Sequence, residues 1–436
     1  MIPSVIRVVV MIVEYPLLSR KKLVRIMVLM LLVMVLGHVT RNLSSFYFLM
    51  YFSLVFVIVF LSVNKRKIRV NNPPIFLLYT LFLVFSLWVS YWSFIFDPNV
   101  SFALTLSRLF FVTLIPLILI MVELKDKDFE TALKLFVLVV VVGSLSYFYQ
   151  YFFGAISWFN NVGEPRGGLV RFSSSLGSLT TYGVAVGIAL YATYAVSFNK
   201  KTKFIIFIIL LLGALLSMQK AALFNAVIAF IFIFILFKYK VNLILYILLF
   251  LLVLIVFSFL YQNSFLSEYL QAFVLNTLGV NLFDNINLVK TEQISPDLLF
   301  ERFTGLHFLE IIEKHGALLL FISGIGATGA GGAMGVDSLQ AHNSFWDLYF
   351  MGGFFYLFTF LLFYFFIQFT LYKINSNISK VFFILNFIFL LNAFSASIIM
   401  FHPVTSFCFW VSVLYILKRN KFNYKLPGQG VKYGQE

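Results

Sequence analysis

Long apolar blocks, most of about 17 to 22 residues with almost no charge inside them, constrain this chain more than any other feature. They do not repeat on one helical face, so no side of them is set aside for water. In hydrocarbon the backbone must satisfy its own hydrogen bonds, and only helices or closed barrels do so. Barrel strands would alternate apolar and polar residues, and these blocks do not. Helices follow. Composition agrees, with 61% of the 436 residues hydrophobic and 11% charged. Soluble domains carry about a quarter charged residues.

The blocks read as twelve expected spans: 23–39, 45–63, 75–96, 102–122, 132–153, 177–197, 204–218, 221–237, 241–261, 344–372, 381–400 and 402–418. Arg7, Arg20, Lys21, Lys22 and Arg25 before the first block place the N-terminus inside. Alternate crossings then put the basic runs Lys65-Arg66-Lys67-Ile68-Arg69, Lys200-Lys201-Thr202-Lys203 and Lys238-Tyr239-Lys240 inside as well. The C-terminal tail from Lys418 falls on the same side. The first apolar run lacks a small-residue cleavage site and is read as retained. The expected fold is an all-α, multi-pass protein of the bacterial inner membrane with both termini cytoplasmic. Its parts are a bundle over 1–261 with an outer loop at 154–176, a large periplasmic loop at 262–342, spans over 343–418 and a tail at 419–436.

A net charge of +15 raises the question of nucleic acid. The bases sit in short runs between apolar blocks, so they mark topology and meet anionic lipid headgroups; no nucleic-acid partner is expected. Cys408 is the single cysteine, which excludes an intrachain disulfide and a cysteine metal site. No metal and no cofactor are expected.

Two outer segments are long enough to suggest function. In the second, Ser295-Pro296-Asp297 is a helix start with a Ser cap and Pro at the first position. Leu298, Leu299, Arg302, Phe303, Leu306, Leu309 and Ile312 follow at helical spacing, and Gly316 ends the run. This predicts an amphipathic helix lying on the membrane or on the bundle. The stretch 317–322 is apolar but too short to span.

Ionisable residues gather at the outer face. His342-Asn343 closes the long loop, Arg302 lies on its helix, Arg166 and Arg171 occupy the first outer loop, and Lys220 sits at a tight outer turn. Arg108 is inside the fourth span, where a charge is costly and faces a cavity or a partner. Each has a plain structural alternative, such as contact with headgroups, a snorkelling lysine or an interfacial histidine. Gly324-Ile325-Gly326 opens a glycine-rich stretch with no following Lys-Ser/Thr, so it is no ATP loop. It is either a pyrophosphate cradle or a flexible lid.

Several cations converging outside a membrane bundle suit a lipid-linked diphosphate. Negative charge grows on such a leaving group as the sugar C1–O bond breaks, and Arg and Lys stabilise it most in the transition state without a metal. A neutral histidine is suited to take the proton from an attacking sugar hydroxyl.

The run Arg302 … Gly324-Ile325-Gly326 … His342-Asn343-Ser-Phe-Trp-Asp-Leu-Tyr-Phe-Met-Gly352-Gly353 resembles the signature of the O-antigen ligase/polymerase superfamily. Arg166 followed after ten residues by Gly177 resembles the family's Arg-x10-Gly pattern. Ser217-Met218-Gln219-Lys220-Ala221 falls where relatives carry a Ser-Arg pair; here Lys220 keeps the charge but loses the bidentate fork. The resemblance implies a helical, GT-C-like glycosyltransferase fold. It also implies metal-independent inverting transfer from an undecaprenyl-diphosphate-linked oligosaccharide on the periplasmic face. His342 would activate the acceptor, Arg302, Lys220 and Arg166 or Arg171 would hold the diphosphate, and Asn343, Gly324 and Gly326 would position the loop; Arg108, singled out by its place inside a span, is a further candidate for the diphosphate. The expected activity is polymerisation of O-antigen, capsular or exopolysaccharide repeat units, with a chain-length regulator and a flippase as pathway partners. A ligase moving finished glycan to a lipid or protein acceptor is the alternative within the family. A flippase or other transporter is the alternative outside it, although such a protein should show paired halves and broken helices at mid-membrane.

Overall fold

The computed structural model describes residues 71–96, 106, 109–110, 112–120, 124–156, 159, 164–166, 169–176, 179–217, 219–236, 312–313, 316–326, 343–394 and 400–419. These form helices α1 (Pro73–Phe96), α2 (Ile115–Leu119), α3 (Asp126–Phe153), α4 (Leu179–Ala195), α5 (Lys200–Leu216), α6 (Lys220–Leu236), α7 (Ala317–Ile322), α8 (Ser344–Ile374), α9 (Asn377–Ala393) and α10 (Phe407–Lys418). A hairpin of strands β1 (Glu164–Arg166) and β2 (Leu169–Arg171) is the exception to helix. The expected spans 23–39, 45–63 and 241–261 lie outside the described residues, and so does the loop helix starting at Ser295 apart from 312–313 near its end, which are helical.

Three of these helices are long and apolar enough to cross a membrane, namely α1 over Pro73–Ile95, α3 and α8. Much of their apolar surface faces outward. On α8, Phe355, Phe358, Phe365, Phe366 and Phe369 are all exposed. A surface this apolar suits lipid rather than water.

Inside, aromatic stacking joins α1, α8 and α10. Phe82 stacks on Tyr356 with centroids 5.2 Å apart, and Trp410 meets Phe82 and Phe363 at 5.9 and 6.1 Å. Ser86 Oγ and Tyr356 Oη share a 2.8 Å hydrogen bond, which satisfies a buried phenol. Between α6 and α9, Asn225 and Asn392 exchange two amide hydrogen bonds of 2.7 Å, and Asn225 Nδ2 also donates to Gly183 O on α4 at 3.0 Å. Where lipid offers no partners, such a closed amide pair fixes helix register.

The long block 344–372 is not one straight helix. Gly353 inside α8 has φ 74° and ψ −171°, so the helical hydrogen bonds that would cross it are interrupted. Two further expectations need correction. The block 381–400 ends as helix at Ala393, and 402–418 starts as helix only at Phe407. Residues 395–399 lie outside the described residues; beyond them, Pro403 has no N–H to donate and disfavours helical backbone at His402, which keeps helix from running on from 402. The turn is tied instead by Ser406 N–H and Oγ to His402 O, at 3.1 and 2.8 Å.

The bundle has two chemically distinct ends. At one, Lys134 pairs with Glu130 at 3.1 Å, Asn71 and Asn72 donate to Lys418 O and Ile416 O, and Arg419 donates to Ser376 Oγ at 3.0 Å and to Tyr415 Oη. This basic end holds the starts of α1, α3 and α9. At the opposite end, α3 finishes at the hairpin, and α6 and α8 begin.

Candidate functional site

The last turns of α3 organise the hairpin end. Gln150 Nε2 donates to Ser173 O at 2.9 Å and Ser175 N–H to Ser146 Oγ at 3.1 Å, which holds the chain leaving β2. The Tyr151 ring meets Phe172 edge-on at 5.2 Å, directly after Arg171, and its Oη donates to Leu216 O at 2.9 Å. Gln219 Nε2 reaches Tyr147 Oη at 3.4 Å. One helix end therefore gathers the exit of the arginine hairpin and the α5–α6 turn that carries Lys220.

Within the hairpin, Glu164 pairs with Arg171 and Arg166 with Leu169, leaving Gly167-Gly168 as a two-residue connection. Paired residues share a face and so do next-but-one neighbours, so the backbone register sets positions 164, 166, 169 and 171 on one face. Arg166 and Arg171 are thus on a common face rather than scattered along a loop. Lys220 is the first residue of α6, where the partial positive charge of the helix start adds to its own.

A second constellation sits on α8. Asn343 is its N-cap, and its side chain accepts from Phe345 N–H at 2.9 Å and Trp346 N–H at 3.4 Å. That is a structural role, since it satisfies helix-start donors. Two turns on, the kink frees carbonyls for another segment. Ile325 N–H donates to Phe350 O at 2.7 Å and Gly326 N–H to Met351 O at 3.0 Å. Trp92 Nε1 donates to Gly324 O at 2.9 Å from the end of α1. Gly324 and Gly326 have φ 64° and 76°, and a Cβ on Gly326 would lie 2.6 Å from Ser93 Cα. The Gly-x-Gly segment is thus a hook pressed between α1 and the α8 kink. All three of its N–H groups bond protein carbonyls, Gly324 N–H to Leu319 O at 3.1 Å, so these three dock the segment rather than cradle a pyrophosphate; the rest of the glycine-rich stretch, 327–332, lies outside the described residues.

The two constellations share one end of the bundle. The Phe345 ring, at the second residue of α8, lies 4.8 Å from Phe394 just past α9. Asn392, two residues before Phe394, holds Asn225, which lies five residues beyond Lys220. The starts of α6 and α8 therefore meet through the finish of α9.

Arg108, Arg302 and His342 lie outside the described residues. The structure adds Ser175 and Gln219 to the expected residues, both buried at the hairpin end. Neither stands out in the sequence: Ser175 belongs to the polar run Ser173-Ser174-Ser175 and Gln219 to a short turn between two apolar blocks. Comparison of the chain with protein-family models and with curated proteins gives no match. Function is therefore argued from residues and geometry.

Proposed function

We propose that this chain is a glycosyltransferase of the bacterial inner membrane, a polymerase that joins undecaprenyl-diphosphate-linked oligosaccharide repeat units on the periplasmic face. The observation that carries the proposal is the shared end of the bundle. The exit of the Arg166 and Arg171 hairpin and the turn before Lys220 are tied to the end of α3 through Gln150, Tyr151 and Tyr147, and the starts of α6 and α8 meet through Asn225, Asn392, Phe394 and Phe345. Cations at a helix start and on a ribbon face suit a diphosphate leaving group. His342, which directly precedes the Asn343 cap in the sequence, is proposed to take the proton of the attacking hydroxyl. About twelve spans in a GT-C-like arrangement, with this end periplasmic and the basic end cytoplasmic, belong to the same proposal.

Cells lacking the gene provide the test. Their surface glycan, run as a ladder beside an analysis of the lipid-linked pool, is expected to show a single repeat unit on the usual acceptor. Long glycan stranded on undecaprenyl diphosphate would make the chain a ligase. Single units trapped on the cytoplasmic leaflet would make it a flippase.

A further inference from the structure

Among the described residues two carboxylates are buried, Asp128 and Asp347, at 6% and 1% exposure. Asp128 has a local task, since its Oδ2 accepts from Lys125 N–H at 2.8 Å and caps the start of α3 at the basic end. Asp347 stands in the first turn of α8, at the opposite end of the bundle. Capping is already done there by Asn343, whose side chain accepts from Phe345 and Trp346 N–H. Asp347 gives its own N–H to Asn343 O at 3.0 Å. Burying a carboxylate in an apolar bundle is costly, so one that is kept there serves a donor or a cation.

The elements packed against α8 bring few titratable groups besides tyrosines. Neither α1 nor α7 holds a charged residue or a histidine, and Lys373, Lys380 and Lys418 of α8, α9 and α10 stand at the basic end. On the adjoining segments are Glu313, which is exposed, and His402, whose Nδ1 accepts from Val404 N–H at 3.3 Å. Asn343 has the extended backbone of a capping residue, φ −149° and ψ 118°. At a helix start of this form the residue before the cap lies beside the fourth residue after it, which is why apolar pairs at these positions staple helix ends. Here the two positions are His342 and Asp347.

We infer that Asp347 is a positioning residue for His342: its carboxylate accepts the N–H of one imidazole nitrogen and so turns the other, unprotonated nitrogen toward the acceptor hydroxyl. This rests on the function proposed above, and it is read from the helix register because His342 lies outside the described residues. In the transfer the acceptor O–H bond breaks and its proton goes to that nitrogen. The oxygen bonds sugar C1, and the C1–O electron pair leaves with the diphosphate. The carboxylate then faces an imidazolium, whose charge it stabilises. Without it either ring nitrogen carries the proton, and the base is misdirected part of the time.

The test uses the full chain in lipid nanodiscs with undecaprenyl-diphosphate-linked repeat units. Asp347→Asn keeps the side-chain shape and should lower turnover about 10²-fold or more at equal folded protein, with lipid binding within about twofold. The acidic limb of its residual activity should move about one pH unit lower, because the lost negative charge no longer favours the imidazolium. In a His342→Ala background the same substitution should cost no more than about twofold, since it acts only through the histidine. A full second loss there, or an unshifted acidic limb, would reduce Asp347 to a structural acid. The wild type decides if Asp347→Asn fails to fold. With isotope-labelled histidine nitrogen, and the signal assigned by its absence in His342→Gln, His342 should hold a single neutral tautomer. A mixture of tautomers would overturn the pairing. A wild type that forms no polymer removes the proposed function and the pairing together, whereas an active wild type with a fully active Asp347→Asn removes the pairing alone.

Discussion

His342→Ala is expected to lower polymer formation by about 10²- to 10⁴-fold, the range that loss of a general base produces, with the protein still present in the membrane. The neighbouring substitution Asn343→Ala separates chemistry from architecture. Asn343 caps α8 through two backbone N–H groups, so its loss should cost about 1 kcal/mol of stability and leave turnover within about tenfold. Membranes carrying each variant, assayed for polymer at equal protein level, check the contrast. Equal activity in His342→Ala and wild type would remove the histidine from the mechanism. A loss as deep in Asn343→Ala would mean that the geometry of the helix start, rather than a base, is what matters.

Gly326→Ala is expected to have the largest effect on stability, about 2–5 kcal/mol. Two costs combine. At φ 76° an alanine sits in left-handed backbone, which costs roughly 1–2 kcal/mol. Its Cβ would also approach Ser93 N and Cα to 2.8 and 2.6 Å, and these backbone atoms of α1 cannot turn aside as a flexible side chain would. The hook must then leave the α8 kink, with loss of the bonds to Phe350 O and Met351 O. Gly316→Ala isolates the first cost, since φ is 86° there and no atom lies within 4 Å of the added Cβ. Thermal unfolding of the two variants in detergent should show the larger drop for Gly326→Ala. Equal drops would mean that the hook is not pressed against α1.

Much of the helical framework was legible in the chain because lipid imposes a simple rule. An apolar block such as 75–96 or 132–153 has few options besides helix, and α1 and α3 occupy those blocks. What escaped depends on short-range backbone chemistry inside apolar or polar runs. The kink at Gly353 is invisible to hydropathy, since Gly352-Gly353 sits between aromatic residues and only the docked hook shows where carbonyls are released. Gly167-Gly168 is a hairpin signal, but three-residue strands are too short for any alternation to stand out. Asn343 was read as a positioning residue beside the histidine, and its capping role follows from Asn directly before an apolar helical run. Of the site, the sequence picks out the charged residues, because charge is rare in this chain. Ser175 and Gln219 escaped because a neutral polar residue before a span is ordinary until its burial is known.

The most direct measurement is reconstitution of the purified full chain in vesicles with undecaprenyl-diphosphate-linked repeat units as the only saccharide. Glycan length on the lipid and released undecaprenyl diphosphate are followed together, with and without a chelator. Longer saccharides on the lipid, one undecaprenyl diphosphate released per unit joined and no dependence on divalent cations are the predicted result. Repeat units that stay single while they move across the bilayer would contradict the account and make the chain a transporter.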